Sequence, residues 1–297
     1  MKLVFFGDNK LGLIKDKTVV DLSGLVGEIN APTPQDLINT VISEFDSRYR
    51  ARFLLEAESA TGIPIRDANL HAPLPRPGQI VAMAANYLED GALKEPRPIN
   101  AFFKSPESVI GNGDTVVIPP SPATIFHHEA ELGIVIGKVA ENVPADQADQ
   151  YIFGYVNFID VSARGLGGVS FYWGKSWDTF GPMGPYLVTA DEIEDHHTLQ
   201  VKLWVNNQLR QNYNTSDMGH KIPRIIEWAS SIVRLEPGDL VICGTNHQGL
   251  GAVQDGDSVE IETEGLGKLR VSVQDKLKRA WPNGIDKEVG DRVAGRK

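Results

Sequence analysis

The chain has 297 residues, 41% hydrophobic and 23% charged, enough apolar material for one large globular domain or for a small domain beside a large one. Its net charge of −10 repels nucleic-acid phosphates, and no apolar run approaches the roughly 18–20 residues that span a bilayer. The single cysteine, Cys243, excludes an intrachain disulfide and points to a reducing cytoplasm.

The opening residues Met1 to Phe6 are too soon charged for a signal peptide and read as a strand. Strands over Leu3–Phe6, Leu11–Ile14 and Thr18–Leu22 precede a helix with Thr33 as N-cap and Pro34 at its first position. A second helical stretch, Ser47–Ala60, completes a small α/β module over residues 1–70. Pro73, Pro75 and Pro77 mark a boundary, since proline continues neither a helix nor a central strand. Residues 78–282 read as a strand-rich domain. Gly113-Asp114, Gly238-Asp239 and Gly256-Asp257 each feed a strand, so these aspartates are turn formers. Asn206-Asn207 marks a tight hairpin. Met218, Ile222, Ile225, Ile226, Ala229, Ile232 and Val233 recur at helical spacing as a core-facing stripe. Cys243 ends an apolar strand and reads as a small core residue. Residues 283–297 form a charged tail expected to fray from Asp286. The class is α+β and β-rich.

Two acidic motifs interrupt the apolar runs. Glu129 and Glu131 lie in a strand reading over Phe126–Lys138, where residues two apart share a face while Leu132, Ile134 and Ile136 turn to the core. Carboxylates this close repel unless a cation or a proton sits between them. Asp160, on a second apolar strand, completes an all-oxygen set that suits magnesium, manganese or calcium rather than zinc or copper. An E-x-E on an edge strand is more commonly a solvated pair, and the apolar surroundings argue against that here. His127 shares the face of the two glutamates, so H-x-E-x-E also fits a histidine–carboxylate iron site. His128 alternates to the other face and reads as structural.

The strings E-x-E-L-x-x-V-I-G-K from Glu129, D-V-S-A-R from Asp160 and G-K-S-W-D-T-F-G-P-M-G-P from Gly174 come in a set order. Asn86-Tyr87 and Phe102 to Pro106 precede them, and Arg210 to Met218, Leu235 to Asp239 and Gly244-Thr245 follow. Together these resemble the fumarylacetoacetate hydrolase family over roughly residues 78–275. The resemblance implies a mixed β-sandwich roll, a homodimer with active sites near its interface, and Mg²⁺ or Mn²⁺ (Ca²⁺ in vitro) on Glu129, Glu131 and Asp160. It implies a small 2-oxo or 2,4-diketo acid as substrate, chelated through acid and keto oxygens. Lys175 would help neutralise the anionic ligands, and Arg164, Thr245, Tyr87 and Gln211 would contact substrate. The activity implied is hydrolysis of a C–C bond in an acylpyruvate. Oxaloacetate-type decarboxylation and 2-hydroxydienoate isomerisation or hydration share the same enolate.

The departures matter as much. The family's N-Y-x-x-H-x-x-E supplies a water-activating His–Glu pair, but Asp90 and Leu93 stand at those positions. An aspartate, with an ordinary pKa of roughly 4, is a weaker base at neutral pH. Arg164-Gly165-Leu166-Gly167 replaces R-D-x-Q, and Gly244 to Gly249 carries His247 where a proline-containing loop is usual. Glu89, Asp90 and His247 are therefore the candidates for proton transfer. Loss of the pair also fits a protein that binds a keto acid without turning it over. Gly91, Pro96 and Pro98 lie in the segment that matches a mobile lid.

Overall fold

The computed structural model describes residues 1–167 and 170–296. Lys2–Phe6, Lys10–Lys15 and Thr18–Asp21 pair as an antiparallel meander. The helix Pro34–Ser43 begins as expected: Thr33 accepts the Asp36 backbone N–H and Asp36 accepts that of Thr33, a reciprocal capping box. The second helical stretch follows as a π-turn over Phe45–Tyr49 and a helix over Arg50–Ser59. Lys2–Phe6 also pairs with Gly181–Thr189, so the first strands join the main sheet.

That sheet holds 12 strands among the described residues. At its centre Ala130–Ile136 lies between Ile152–Ile159 and Leu240–Ile242, antiparallel to both. Leu132, Ile134 and Ile136 enter one apolar core as expected. Val135, on the opposite face, is just as buried, in a second core with Leu3, Phe5, Val41 and Phe53. The sheet is covered on both faces, which is why its central strands read as nearly continuous apolar runs. The first core is closed by a second sheet of five strands, ordered Gln208–Asn214, Gln200–Val205, Ser258–Thr263, Lys268–Asp275 and Thr115–Ile118. Helix Ile222–Ile232 packs there through Ile222, Ile225, Ile226 and Ala229. Ile232, expected in this stripe, is 64% exposed, because the helix ends there and Val233 is already extended.

The turn readings hold. Gly113, Gly238 and Gly256 have φ of 88°, 90° and 83°, the left-handed region open to glycine. Asp114, Asp239 and Asp257 accept the backbone N–H groups of Gly111, Glu236 and Gln254 at 2.7–2.9 Å. Asn206 and Asn207 both take positive φ, as a two-residue hairpin requires. The stretch from Asp286, expected to fray, instead forms helix Lys287–Val293. Its anchors are tertiary: Val289 and Gly290 are buried, and the Asp286 N–H donates to Leu250 O at 2.7 Å. No helix among the described residues is long and apolar enough to cross a membrane.

Candidate active site

The strand expected across residues 126–138 is broken in two. Ile125–His127 pairs with Ser162–Arg164 in a separate small sheet, and Ala130–Ile136 begins after a gap at His128 and Glu129. Ala130 lies opposite Ile159, and the Asp160 N–H donates to Glu129 O at 2.9 Å. The register therefore brings Glu129, Glu131 and Asp160 together at one end of the strand pair. One carboxylate oxygen of each lies within 4.8 Å of the others, and all three residues are buried.

Three cationic side chains enter this cluster. Lys175, the last residue of helix Phe171–Lys175, reaches Glu129 Oε2 and Asp160 Oδ2, each at 2.6 Å. Arg164 pairs with Glu129 Oε1, and its Nε lies 3.4 Å from His127 Nδ1. Lys104, 1% exposed, donates to Asp160 Oδ1 at 2.7 Å and to the Lys175 carbonyl. Lys104 was not singled out from the sequence. Its one signal was a lysine directly after Phe102-Phe103, a charge in apolar surroundings. Ser162 Oγ adds a bond to Glu129 Oε1 at 2.9 Å.

The electrostatics divide the carboxylates. Burial opposes the charge on Glu129, but Lys175 and Arg164 outweigh it and hold the group well below the ordinary range. Burial likewise opposes the Lys175 charge, and Asp160 and Glu129 overcome it and raise the ammonium. For Lys104 burial wins over Asp160, and its pKa falls. Glu131 stands apart. Its contact is the Gly244 N–H, donated to Oε2 at 2.6 Å, and among the described residues no ammonium or guanidinium bonds it. Burial, then Asp160 and Glu129, push it well above the usual range. Three carboxylates and three cations cancel, yet one carboxylate lacks a partner. A divalent ion beside Glu131 would supply it, and the all-oxygen donor set fits Mg²⁺, Mn²⁺ or Ca²⁺.

His127 points away from this cluster. Its Nε2 lies 3.2 Å from Asp286 Oδ2, and burial with the Arg164 charge lowers it to about 4. Among the described residues the cluster contains no histidine, so the H-x-E-x-E iron reading lacks its nitrogen ligand. The strand break is the reason, because it puts His127 in another sheet. His128 is buried, lowered to about 3 by burial, and bonds Gln211 Oε1 through Nδ1 at 3.1 Å.

Gln211 is fully engaged by the protein. Its Oε1 also accepts the Ala130 N–H at 3.0 Å, and its Nε2 donates to Thr245 Oγ1 and Asn246 O, both at 2.8 Å. It ties the start of the Ala130–Ile136 strand to the Thr245 loop. Tyr87 is buried, its ring edge-on to Tyr213 at 4.9 Å. Its hydroxyl has no hydrogen-bond partner among the described residues, and burial raises it well above its ordinary value. A cavity of about 480 Å³ opens beside Lys175 and Arg164, with Asn100, Leu166, Ser170 and Phe171 among its walls.

The proton-transfer candidates separate. Asp90 accepts from Asn246 Nδ2 at 3.2 Å, and its N–H donates to Asp217 Oδ2 at 3.1 Å. Burial, then Asp217 and Glu89, raise the Asp90 carboxyl. Glu89 instead meets His247, whose Nδ1 lies 2.7 Å from Glu89 Oε1.

The family description "Fumarylacetoacetate (FAA) hydrolase C-terminal" matches residues 79–274. A maleylpyruvate hydrolase of Aquipseudomonas alcaligenes is 33% identical over 290 residues, 92% of this chain and 99% of that protein. A mitochondrial oxaloacetate tautomerase of Bos taurus is 32% identical over 263 residues, 83% of each chain. The crystal structure of maleylpyruvate hydrolase from Sphingobium sp. SYK-6, in complex with manganese(II) and pyruvate, superposes with a TM-score of 0.85 at 34% identity. That match covers 93% of this chain and 99% of the other. With the carboxylate cluster in place and the match running through the whole strand-rich region, the chain belongs to the fumarylacetoacetate hydrolase family.

Proposed function

We propose that this protein is a Mg²⁺- or Mn²⁺-dependent enzyme that hydrolyses a C–C bond of an acylpyruvate-type 2,4-diketo acid. The observation that carries this reading is the buried cluster of Glu129, Glu131 and Asp160, in which Glu131 alone lacks a cation. These three residues would hold the ion, which when bound supplies Lewis-acid polarisation of the substrate's acid and keto oxygens. Since Lys104, Lys175 and Arg164 already balance the carboxylates, the loaded site is net positive and suits an anionic substrate. Lys175 and Arg164 border the cavity, so they are placed to bind the substrate carboxylate and the negative charge that develops when the C–C bond breaks. Thr245 and Tyr87 are the further substrate contacts of this proposal, and Gln211, which donates to Thr245 Oγ1, positions the Thr245 loop. The maleylpyruvate hydrolase relatives, one with manganese and pyruvate, support the substrate class.

A turnover panel of acylpyruvates, oxaloacetate and 2-hydroxydienoates tests this, run with Mg²⁺, with Mn²⁺ and after chelation. Acylpyruvate cleavage that stops on chelation is expected. Metal-dependent turnover of oxaloacetate alone would favour the tautomerase-like or decarboxylase reading. Oxalate binding with no turnover at all would leave a keto-acid-binding protein.

The proposal includes a homodimer in the cytoplasm, the compartment that suits a buried, unpaired Cys243. Phe171, Tyr172 and Trp173 are 40–76% exposed on the helix that carries Lys175. An apolar patch of this kind, beside the site, fits a second copy of the chain. Sedimentation equilibrium should give twice the chain mass for the wild type and a shift toward monomer for Tyr172→Arg. A monomeric wild type would remove the dimer.

A further inference from the structure

We infer that His247 is the general base that activates water in this site and that Glu89 is the residue that positions it. The inference rests on the metal-dependent hydrolase reading above. Glu89 is unusual in both burial and backbone conformation. This residue is 0% exposed and sits at φ 57°, a left-handed conformation that non-glycine residues seldom hold without a compensating role. No lysine or arginine pairs with it among the described residues. Every hydrogen bond to its carboxylate comes from one short turn. The His247 backbone N–H and the Gln248 side chain donate to Oε2 at 2.9 and 3.0 Å, and His247 Nδ1 meets Oε1 at 2.7 Å. The imidazole is thus the one titratable side chain among the described residues that bonds this buried carboxylate.

That contact fixes the chemistry of the ring. With Nδ1–H directed at Glu89, the neutral imidazole keeps its lone pair on Nε2. Nε2 has no hydrogen-bond partner among the described residues. The same loop touches the carboxylate cluster, because the Gly244 N–H, three residues before the ring, donates to Glu131 Oε2 at 2.6 Å. A base with one nitrogen held by a buried carboxylate and the other unpartnered, on the loop that reaches the carboxylate cluster, is the arrangement an activated water requires. A pair that merely held the turn in place would be redundant. Helix Lys287–Val293 already does that, through Gln248 Nε2 to Gly290 O at 3.3 Å and the Asp286 N–H to Leu250 O. Relative to the usual motif, which carries both members after Asn-Tyr, the pair is split between two loops. The loop after Asn86 supplies the carboxylate and the loop after Thr245 supplies the imidazole.

The step balances without a further reactant. Water gives a proton to His247 Nε2 while its oxygen bonds to the acyl carbonyl carbon of the diketo acid. The bond from that carbon to C3 then breaks, and its electron pair passes into the pyruvate enolate. The imidazolium returns the proton to C3, so one water is divided between a carboxylic acid and pyruvate. The charged groups that face the ring or its turn are Glu89 and Glu129, Asp90 and Asp217 through Asn246, and Arg296 through Gln248.

The test uses the Mn²⁺-loaded full-length enzyme with an acylpyruvate. His247→Gln and Glu89→Gln should each lower kcat by about 10²–10⁴-fold, with KM and the Kd for oxalate within about threefold of wild type. The acid limb of the pH–kcat profile should disappear in His247→Gln, and added imidazole should restore part of the rate to His247→Ala. Wild-type turnover with an unchanged kcat and pH profile in His247→Gln overturns the assignment alone, and so does a loss carried by Asp90→Asn instead. A wild type that cleaves no acylpyruvate overturns the hydrolase reading and this assignment with it. Retained oxalate binding in the variants separates lost chemistry from lost fold.

Discussion

Glu131→Gln will leave the metal-free protein at least as thermally stable as wild type while removing its response to metal. Glu131 is the one member of the cluster with no ammonium or guanidinium on it. Its charge is buried beside two like charges, so an isosteric amide removes a repulsion and retains an acceptor for the Gly244 N–H. The linkage has a definite sign. A carboxyl raised in the folded state takes up its proton before the unfolded chain does, so metal-free wild type gains stability as pH falls through the folded pKa. The glutamine variant loses that gain, and protonation of the wild type weakens its metal binding over the same range. Metal at about 100 times its Kd adds about 2.7 kcal/mol to wild-type stability. The variant should lack this, because loss of a direct ligand lowers affinity by more than the roughly 10–100-fold of an outer-sphere change. Thermal unfolding with and without Mn²⁺, beside titration calorimetry, gives both halves. A wild-type shift in the variant would remove Glu131 from the metal site, and the proposed function would lose its main support.

Lys104→Met is expected to have the largest effect on the fold itself. The lysine and Asp160 are 1% exposed, and the same ammonium also satisfies the carbonyl of Lys175. Removing one member of a buried pair leaves the other charge stranded, at about 3–5 kcal/mol. That is a large share of the roughly 5–15 kcal/mol that holds a protein of ordinary stability together. Burial already lowers the lysine's pKa, so the pair itself adds little over an apolar replacement of both members. Lys104→Met with Asp160→Asn should therefore recover much of the loss, at the expense of metal binding. Urea unfolding of the metal-free single and double variants closes this cycle. A single variant within about 0.5 kcal/mol of wild type would mean that Asp160 is adequately held by Lys175 alone.

The sequence made legible what rests on local chemistry. Thr33-Pro34, the three Gly-Asp turns and Asn206-Asn207 each specify a backbone conformation within a few residues, and each appears where the residues require it. The acidic set was legible for a similar reason, since carboxylates inside apolar strands conflict with their surroundings. What remained hidden depended on partners far along the chain. Lys104 finds Asp160 56 positions away, and Glu89 finds His247 158 positions away. The break between His127 and Ala130 has no local mark either, because it follows from pairing with two different neighbours, Ser162–Arg164 and Ile152–Ile159. The C-terminal helix was concealed by its charged composition and is held by contacts to the His247 turn.

The pairing of Lys2 with Val188 also bears on how the protein is made. A ribosome delivers Lys2–Phe6 early and Gly181–Thr189 much later, so although Phe5 and Phe6 can pair with His71 and Leu70 soon after, the Lys2–Leu3 end must wait with one side unpaired. During that interval the end carrying Leu3 and Val4 is an apolar edge able to recruit another nascent chain. Slow synthesis before residue 189 would lengthen the exposure. Insoluble product should then rise when translation is delayed upstream of that point and not when it is delayed beyond it.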